Sequence, residues 1–132
     1  MISSTLQSIY TPTGNTIKTG QLAEDSACRY LQTQGLSLVE RNYCCPRGEI
    51  DLIMKDNKTT VFIEVRYRRN TRFGSGAESV DRRKQDKLLA TAAHYLQKNP
   101  KAAKSICRFD VVSLTMNNGE QTLDWIPDAF QA

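Results

Sequence analysis

The chain has 132 residues, enough for a single domain that buries its own core without disulfide or metal staples. Apolar residues at 39% and charged residues at 24% exclude an intrinsically disordered chain. The net charge is +4, and it is unevenly spread: from Arg66 to Lys87, eight basic residues stand against three acidic ones, an excess that attracts polyanions.

No apolar run approaches the roughly 18–20 residues of a membrane helix. The N-terminal MISSTLQSIYTPTGNTIKTG lacks the basic start and apolar stretch of a secretory signal, so a cytoplasmic protein with no membrane contact is expected. Residues 1–18, rich in Ser, Thr, Asn and Pro without a period, are read as a flexible tail. Residues 19–132 are read as one α/β domain.

Along that domain, GQLAEDSACRYLQTQ (20–34) sets Ala23, Ala27, Tyr30 and Leu31 on one helical face, with Gly35 as a stop. Glu24 borders that face. LSLVERNY (36–43) reads as a strand, CCPRG as a turn, and residues 49–55 and 59–68 as two further strands joined tightly. RRNTRFGSGAE (68–78) reads as a loop. DRRKQDKLLATAAHYLQK (81–98) is the clearest helix, with Leu88, Leu89, Ala92, Tyr95 and Leu96 at helical spacing and Asp81 as N-cap. NPKAAKS breaks it, residues 105–115 form an apolar strand, and NNGEQ turns into a last strand at 122–126. The order αβββαβ, with one or two strands at the end, predicts a central mixed sheet flanked by helices.

Cys28, Cys44, Cys45 and Cys107 include no CxxC pair and have a single histidine, His94, for company, so free thiols acting as small apolar side chains are expected. His94 has no histidine at i+4 and is assigned to packing or surface. Tyr67 and Phe73 interleave with Arg68, Arg69 and Arg72; core packing outweighs base stacking for them. Asp110, inside RFDVV, is expected as a buried partner of an arginine, and Trp125 at the edge of the core.

The chemistry centres on GEIDLIMKDNKTTVFIEVRYRRN (48–70). Alternation places Glu49, Asp51 and Ile53 on one strand face, and Glu64 and Arg66 on one face of the next. Antiparallel pairing would bring Asp51 and Glu64 within a few ångströms. Two carboxylates so close repel, and a divalent cation such as Mg²⁺ relieves the repulsion. A basic residue two places beyond the second acid would then face the same phosphate or water, the layout of metal-assisted phosphodiester hydrolysis. Spacing alone leaves open an ordinary set of ion pairs on a solvated sheet face. Glu49 is equally a neighbour of the site or a plain turn-edge glutamate.

GEIDLI, VFIEVRYR, RFGSGAESVDRRKQDKLLATAAHYL and RFDVV, in this order from Thr19 to about Phe130, resemble the YraN-like family of small bacterial proteins. That family is placed in the restriction-endonuclease-like, or PD-(D/E)XK, nuclease superfamily, related in fold to archaeal Holliday-junction resolvases. The resemblance implies a restriction-endonuclease-like core and hydrolysis of DNA, with branched or damaged DNA as a candidate substrate, Mg²⁺ or Mn²⁺ as cofactor and a homodimer by analogy. It implies that Asp51 and Glu64 are metal ligands, that Glu24 is the helical acid completing the site, and that Lys84 and Gln85 are a basic-Gln pair facing the substrate phosphate. The superfamily usually has lysine where this chain has Arg66. Arginine cannot act as a base, but its fork still binds phosphate and stabilises charge. Arg68, Arg69, Arg72, Arg83, Lys84 and Lys87 are the expected nucleic-acid contacts. Two other classes stay open: a non-catalytic nucleic-acid-binding module, and a partner-binding protein with a vestigial site.

Overall fold

A computed structural model describes residues 16–68 and 80–131. Helix α1 (Thr16–Thr33) leads into β1 (Ser37–Cys45), β2 (Gly48–Asp56) and β3 (Thr59–Arg68). After residues 69–79 come α2 (Arg82–Lys98), a single turn α3 (Pro100–Ala103), β4 (Cys107–Asn117) and β5 (Glu120–Phe130). The five strands form one sheet in the order β1-β2-β3-β4-β5, with β3 and β4 parallel and the other neighbours antiparallel. The fold is therefore α/β around a mixed sheet, as the sequence pattern predicts.

Two apolar layers hold it. On one face Ala23, Ala27, Cys28 and Leu31 of α1 pack on Leu52, Met54, Val61, Ile63, Val112 and Leu114. On the other, Leu88, Ala92 and Tyr95 of α2 pack on Ile50, Ile53, Phe62, Phe109 and Val111. A strand sandwiched by helices buries both faces, which is why β3 reads as the near-continuous apolar run TTVFI.

The element ends have local causes. Gly35 adopts φ 100, the Leu36 amide donates to the Leu31 carbonyl and the Gly35 amide to that of Gln32, a Schellman stop with Leu31 and Leu36 both in the core. Asp81 caps α2: its Oδ1 accepts from the Lys84 amide at 2.8 Å. Asn118 and Gly119, both at positive φ, close the β4–β5 hairpin.

Four readings need correction. Helix α1 starts at Thr16, so the last residues assigned to the tail are helical; residues 1–15 lie outside the described residues. NPKAAKS does not simply break α2 but continues as the α3 turn, with Pro100 at its first position where no amide is required. The last strand runs past Ile126 to Phe130. Pro127 lies inside it, and β5 is an edge strand, where a missing amide costs no ladder bond. Finally, Ile50 and Ile53, three residues apart, pack in the same α2-side layer. Strict alternation therefore fails across Asp51, and the shared face expected for Asp51 and Ile53 is not a regular one.

Asp110 is the buried anchor that was expected. It accepts from Arg108 Nε (3.0 Å), Trp125 Nε1 (2.9 Å) and the Asp128 amide (2.9 Å), while Arg108 also reaches Asp56 at 3.1 Å. Every lone pair that burial would strand is used. All four cysteines are free thiols. His94 shares a 2.5 Å hydrogen bond with the Tyr43 hydroxyl, a packing role.

Candidate functional site

The site forms where β2 and β3 part. Their ladder runs from Asp56↔Thr59 to Leu52↔Ile63 and ends there. The next amide of β3, that of Val65, donates instead to the Asp51 side chain, at 2.8 Å to Oδ2. A carboxylate thus occupies the place of a strand, and the gap holds Asp51 where the Glu64 charge acts on it. Burial, then the Glu64 charge, push the Asp51 carboxyl up to about 7, against an amide bond from Val65 that lowers it. Glu49 adds a smaller push in the same direction, although its side chain is exposed and accepts from the Cys44 thiol (3.6 Å).

Glu64 is buried, with only 6% of its surface exposed. Two cations meet its Oε2: Lys84 Nζ from α2 at 3.5 Å and Arg66 Nη1 from β3 at 3.7 Å. Lys84 arrives from the first turn of α2, so the Asp81 cap that fixes this helix start also fixes the lysine. The resemblance set Lys84 toward a substrate phosphate; in the structure it stands at Glu64 together with Arg66.

Glu24 comes from α1 on the other side. Burial raises its pKa first, and the Asp51 charge next, so the two acids feel each other across the sheet end. Its Oε1 is buried and makes no hydrogen bond among the described residues. The nearest cation to that oxygen is Arg41 Nη2 at 3.5 Å, while Arg41 Nη1 binds Asp25 at 2.6 Å. Arg41 was not singled out in the sequence. The signal was there in VERNY, a basic residue in the strand that follows an acidic helix pair, Glu24-Asp25, but which strand faces that helix is a tertiary fact.

The remaining predicted residues divide. Gln85 donates from Nε2 to the Val80 carbonyl at 3.0 Å and braces the start of α2. Arg68 ends β3 partly buried, and Arg83 and Lys87 are exposed on α2. Arg69, Arg72 and Phe73 lie outside the described residues. Tyr67 packs against the α1-side core, which favours packing over stacking. Among the described residues, no three His, Cys, Asp or Glu side chains are gathered into a ready-made metal-binding group, so Asp51 and Glu64 form a pair with Glu24 set apart.

The fold and site define a class: a small α/β protein with a mixed five-stranded sheet, whose split strands bury a carboxylate pair beside two cations. The chain belongs to the family described as Uncharacterised protein family UPF0102, whose profile matches residues 23–114. It is similar to a UPF0102 protein of Nitrosococcus oceani, 52% identical over 85% of this chain and 90% of that one. A UPF0102 protein of Stutzerimonas stutzeri is 49% identical over 86% of this chain and 94% of its own, and one of Pseudomonas fluorescens is 43% identical over 92% and 99%. No helix among the described residues is long and apolar enough to cross a membrane.

Proposed function

We propose that this protein is a metal-dependent endonuclease of the restriction-endonuclease-like kind, hydrolysing phosphodiester bonds in DNA. The observation that carries the reading is the Asp51–Glu64 pair, set at the β2–β3 split with Arg66 and Lys84 on Glu64. An Asp pushed up to about 7 and a buried Glu24 oxygen that makes no hydrogen bond among the described residues are both groups that a cation would satisfy. The donors are all carboxylate oxygens, the set that suits Mg²⁺ or Mn²⁺ rather than softer metals. Asp51 and Glu64 would hold the ion, with Glu24 facing it from α1. When bound, such a cation polarises a phosphodiester and acidifies water.

The chain's own residues do the rest. The Val65 amide fixes the Asp51 carboxylate in place. Arg66 binds a phosphate oxygen and stabilises the charge that builds up at phosphorus; its guanidinium stays protonated and takes no proton. Lys84 sets a second positive charge beside the same carboxylate. Gln85 holds the α2 start that carries Lys84, and Arg68, Arg69, Arg72, Arg83 and Lys87 supply contacts along the backbone of the nucleic acid.

A non-catalytic nucleic-acid-binding module is the second reading, favoured by one observation: Arg66 is already paired with Glu64. Asp51→Ala and Glu64→Ala separate the two. For an endonuclease, each substitution abolishes Mg²⁺- or Mn²⁺-dependent cleavage of duplex, single-stranded or branched DNA and leaves DNA binding within a few-fold of wild type. Wild-type protein that binds DNA equally with and without metal, and cuts none of these substrates, would establish the second reading instead.

A further inference from the structure

Helix α2 lies mainly over β1 and β2. Beside it, on the same side of the sheet, a groove of about 720 Å³ runs between the helix and strands β3, β4 and β5. That volume is within the range of pockets that hold a ligand. Leu89, Ala93 and Leu96 line it from the helix. Its floor is a row of rings crossing three strands: Phe62 stacks on Phe109 with centroids 5.3 Å apart, and Phe109 on Phe130 at 5.0 Å. Ile106 also lines the groove and is 77% exposed, the highest value for a large apolar side chain among the described residues. The Thr60 amide donates to the Ile106 carbonyl at 2.9 Å, so this part of the groove lies where β3 and β4 begin. Glu64 and Arg66 lie further along β3, toward its other end.

Four exposed lysines adjoin the groove residues in the chain. Lys58 precedes Thr59, Lys98 ends α2 two residues after Leu96, and Lys101 and Lys104 come just before Ile106. None of the four forms an ion pair among the described residues. Of the acids there, Arg108 engages Asp56 and Asp110, which leaves Asp128 on the groove against four cations. An exposed aliphatic side chain beside an apolar groove calls for apolar partner atoms, and unpaired cations around it call for acids. Residues 1–15 of the chain itself, MISSTLQSIYTPTGN, contain no Asp or Glu, and a second copy brings a net charge of +4. Neither complements the lysines. A nucleic acid does, but its phosphate backbone offers no aliphatic anchor for the groove.

We propose that this groove docks a short acidic segment of another protein, with Leu, Ile or Phe side chains seated beside Ile106 and Asp or Glu residues facing the four lysines. The apolar anchors supply most of the affinity, and the charges steer and orient the approach. The inference is independent of the metal reading, and a partner held here leaves the Asp51–Glu64 end of the sheet open.

Random peptides displayed on phage and selected on the full chain test it, each enriched sequence being resynthesised with a fluorophore and titrated by anisotropy. Enriched sequences are expected to combine Asp or Glu with Leu, Ile or Phe. Ile106→Asp should weaken their binding about 10-fold or more. Lys101→Glu combined with Lys104→Glu should weaken it several-fold, an effect that fades at high salt. All three side chains are exposed, so the substitutions spare the core. Val39→Asp, at an exposed apolar residue of β1, should leave affinity at the wild-type value. No enriched peptide, enriched peptides without acids, or wild-type affinity in both Ile106→Asp and the double lysine variant overturns the proposal. An equal loss in Val39→Asp overturns it too. Duplex DNA that displaces the peptides and binds the double lysine variant less tightly gives the surface to nucleic acid instead. A wild-type dimer in sedimentation that Ile106→Asp dissociates gives it to a second copy, and either result overturns the peptide site.

Discussion

At the scale of single residues, Asp51 carries a stability cost that follows from its position. Its carboxyl titrates near 7 in the folded chain against 3.8 as a free group. Between those values the native state keeps a proton that the unfolded chain has lost. The stabilisation is therefore complete below about pH 4 and is lost as pH rises through about 7. Asn mimics the neutral acid and still offers an oxygen to the Val65 amide. Asp51→Asn should then match wild type near pH 4 and exceed it by about 2 kcal/mol above pH 7.5, a figure discounted for partial exposure. Denaturant melts at both pH values check it, and an Asn variant less stable than wild type at pH 8 would contradict the buried-pair geometry. The sequence made Asp51 conspicuous as an acid among apolar residues. It did not reveal that the same carboxylate also replaces a strand partner for Val65, because that depends on where the ladder stops.

At the scale of elements, the β1–β2 turn is wedged against α2. A Cβ built on Gly48 would lie 3.0 Å from Thr91 Oγ1 and 3.8 Å from Lys87 Cβ, and Gly48 itself sits at φ 155. Thr91 cannot easily yield, being fully buried with its hydroxyl bonded to the Lys87 carbonyl at 2.8 Å. Gly48→Ala should cost about 1–3 kcal/mol, read as a lower melting temperature, because either the turn or α2 has to shift. Since α2 delivers Lys84 to Glu64 and the turn leads directly into Asp51, the same substitution should also reduce metal-dependent cleavage. Sequence punctuation located this turn from Pro46 and Gly48. The reason for the glycine, close approach to a helix more than thirty residues on, belongs to the packing.

At the scale of the whole molecule, the parallel pairing of β3 with β4 requires a crossover, and α2 supplies it. That crossover brings the basic start of α2 to the end of β3 where Arg66 and Arg68 lie. Arg66, Arg68, Arg83, Lys84 and Lys87 thus belong to one end of the sheet, and an electrostatic footprint of this kind predicts strong salt dependence. The logarithm of the DNA-binding constant should fall linearly with the logarithm of salt concentration. Arg83→Ala and Lys87→Ala, both exposed, should each reduce the slope by about 1 and weaken binding to all sequences alike. A slope unchanged by both would remove α2 from the nucleic-acid surface.

The sequence by itself determined the helix and strand order, the hairpin turns, the Asp81 cap, the buried Asp110 and the pair of acids worth watching. These are legible because they depend on local periodicity, turn chemistry and the cost of burying charge, all of which act within a few residues. Tertiary structure alone decided three things: that β2 and β3 separate after Leu52 and Ile63, that Lys84 comes to Glu64 across the crossover, and that Arg41 of β1 stands at Glu24 of α1. Each joins groups distant in the chain or breaks the alternation of a strand. Periodicity carries no record of either, since the end of a ladder is set by what packs on both of its faces.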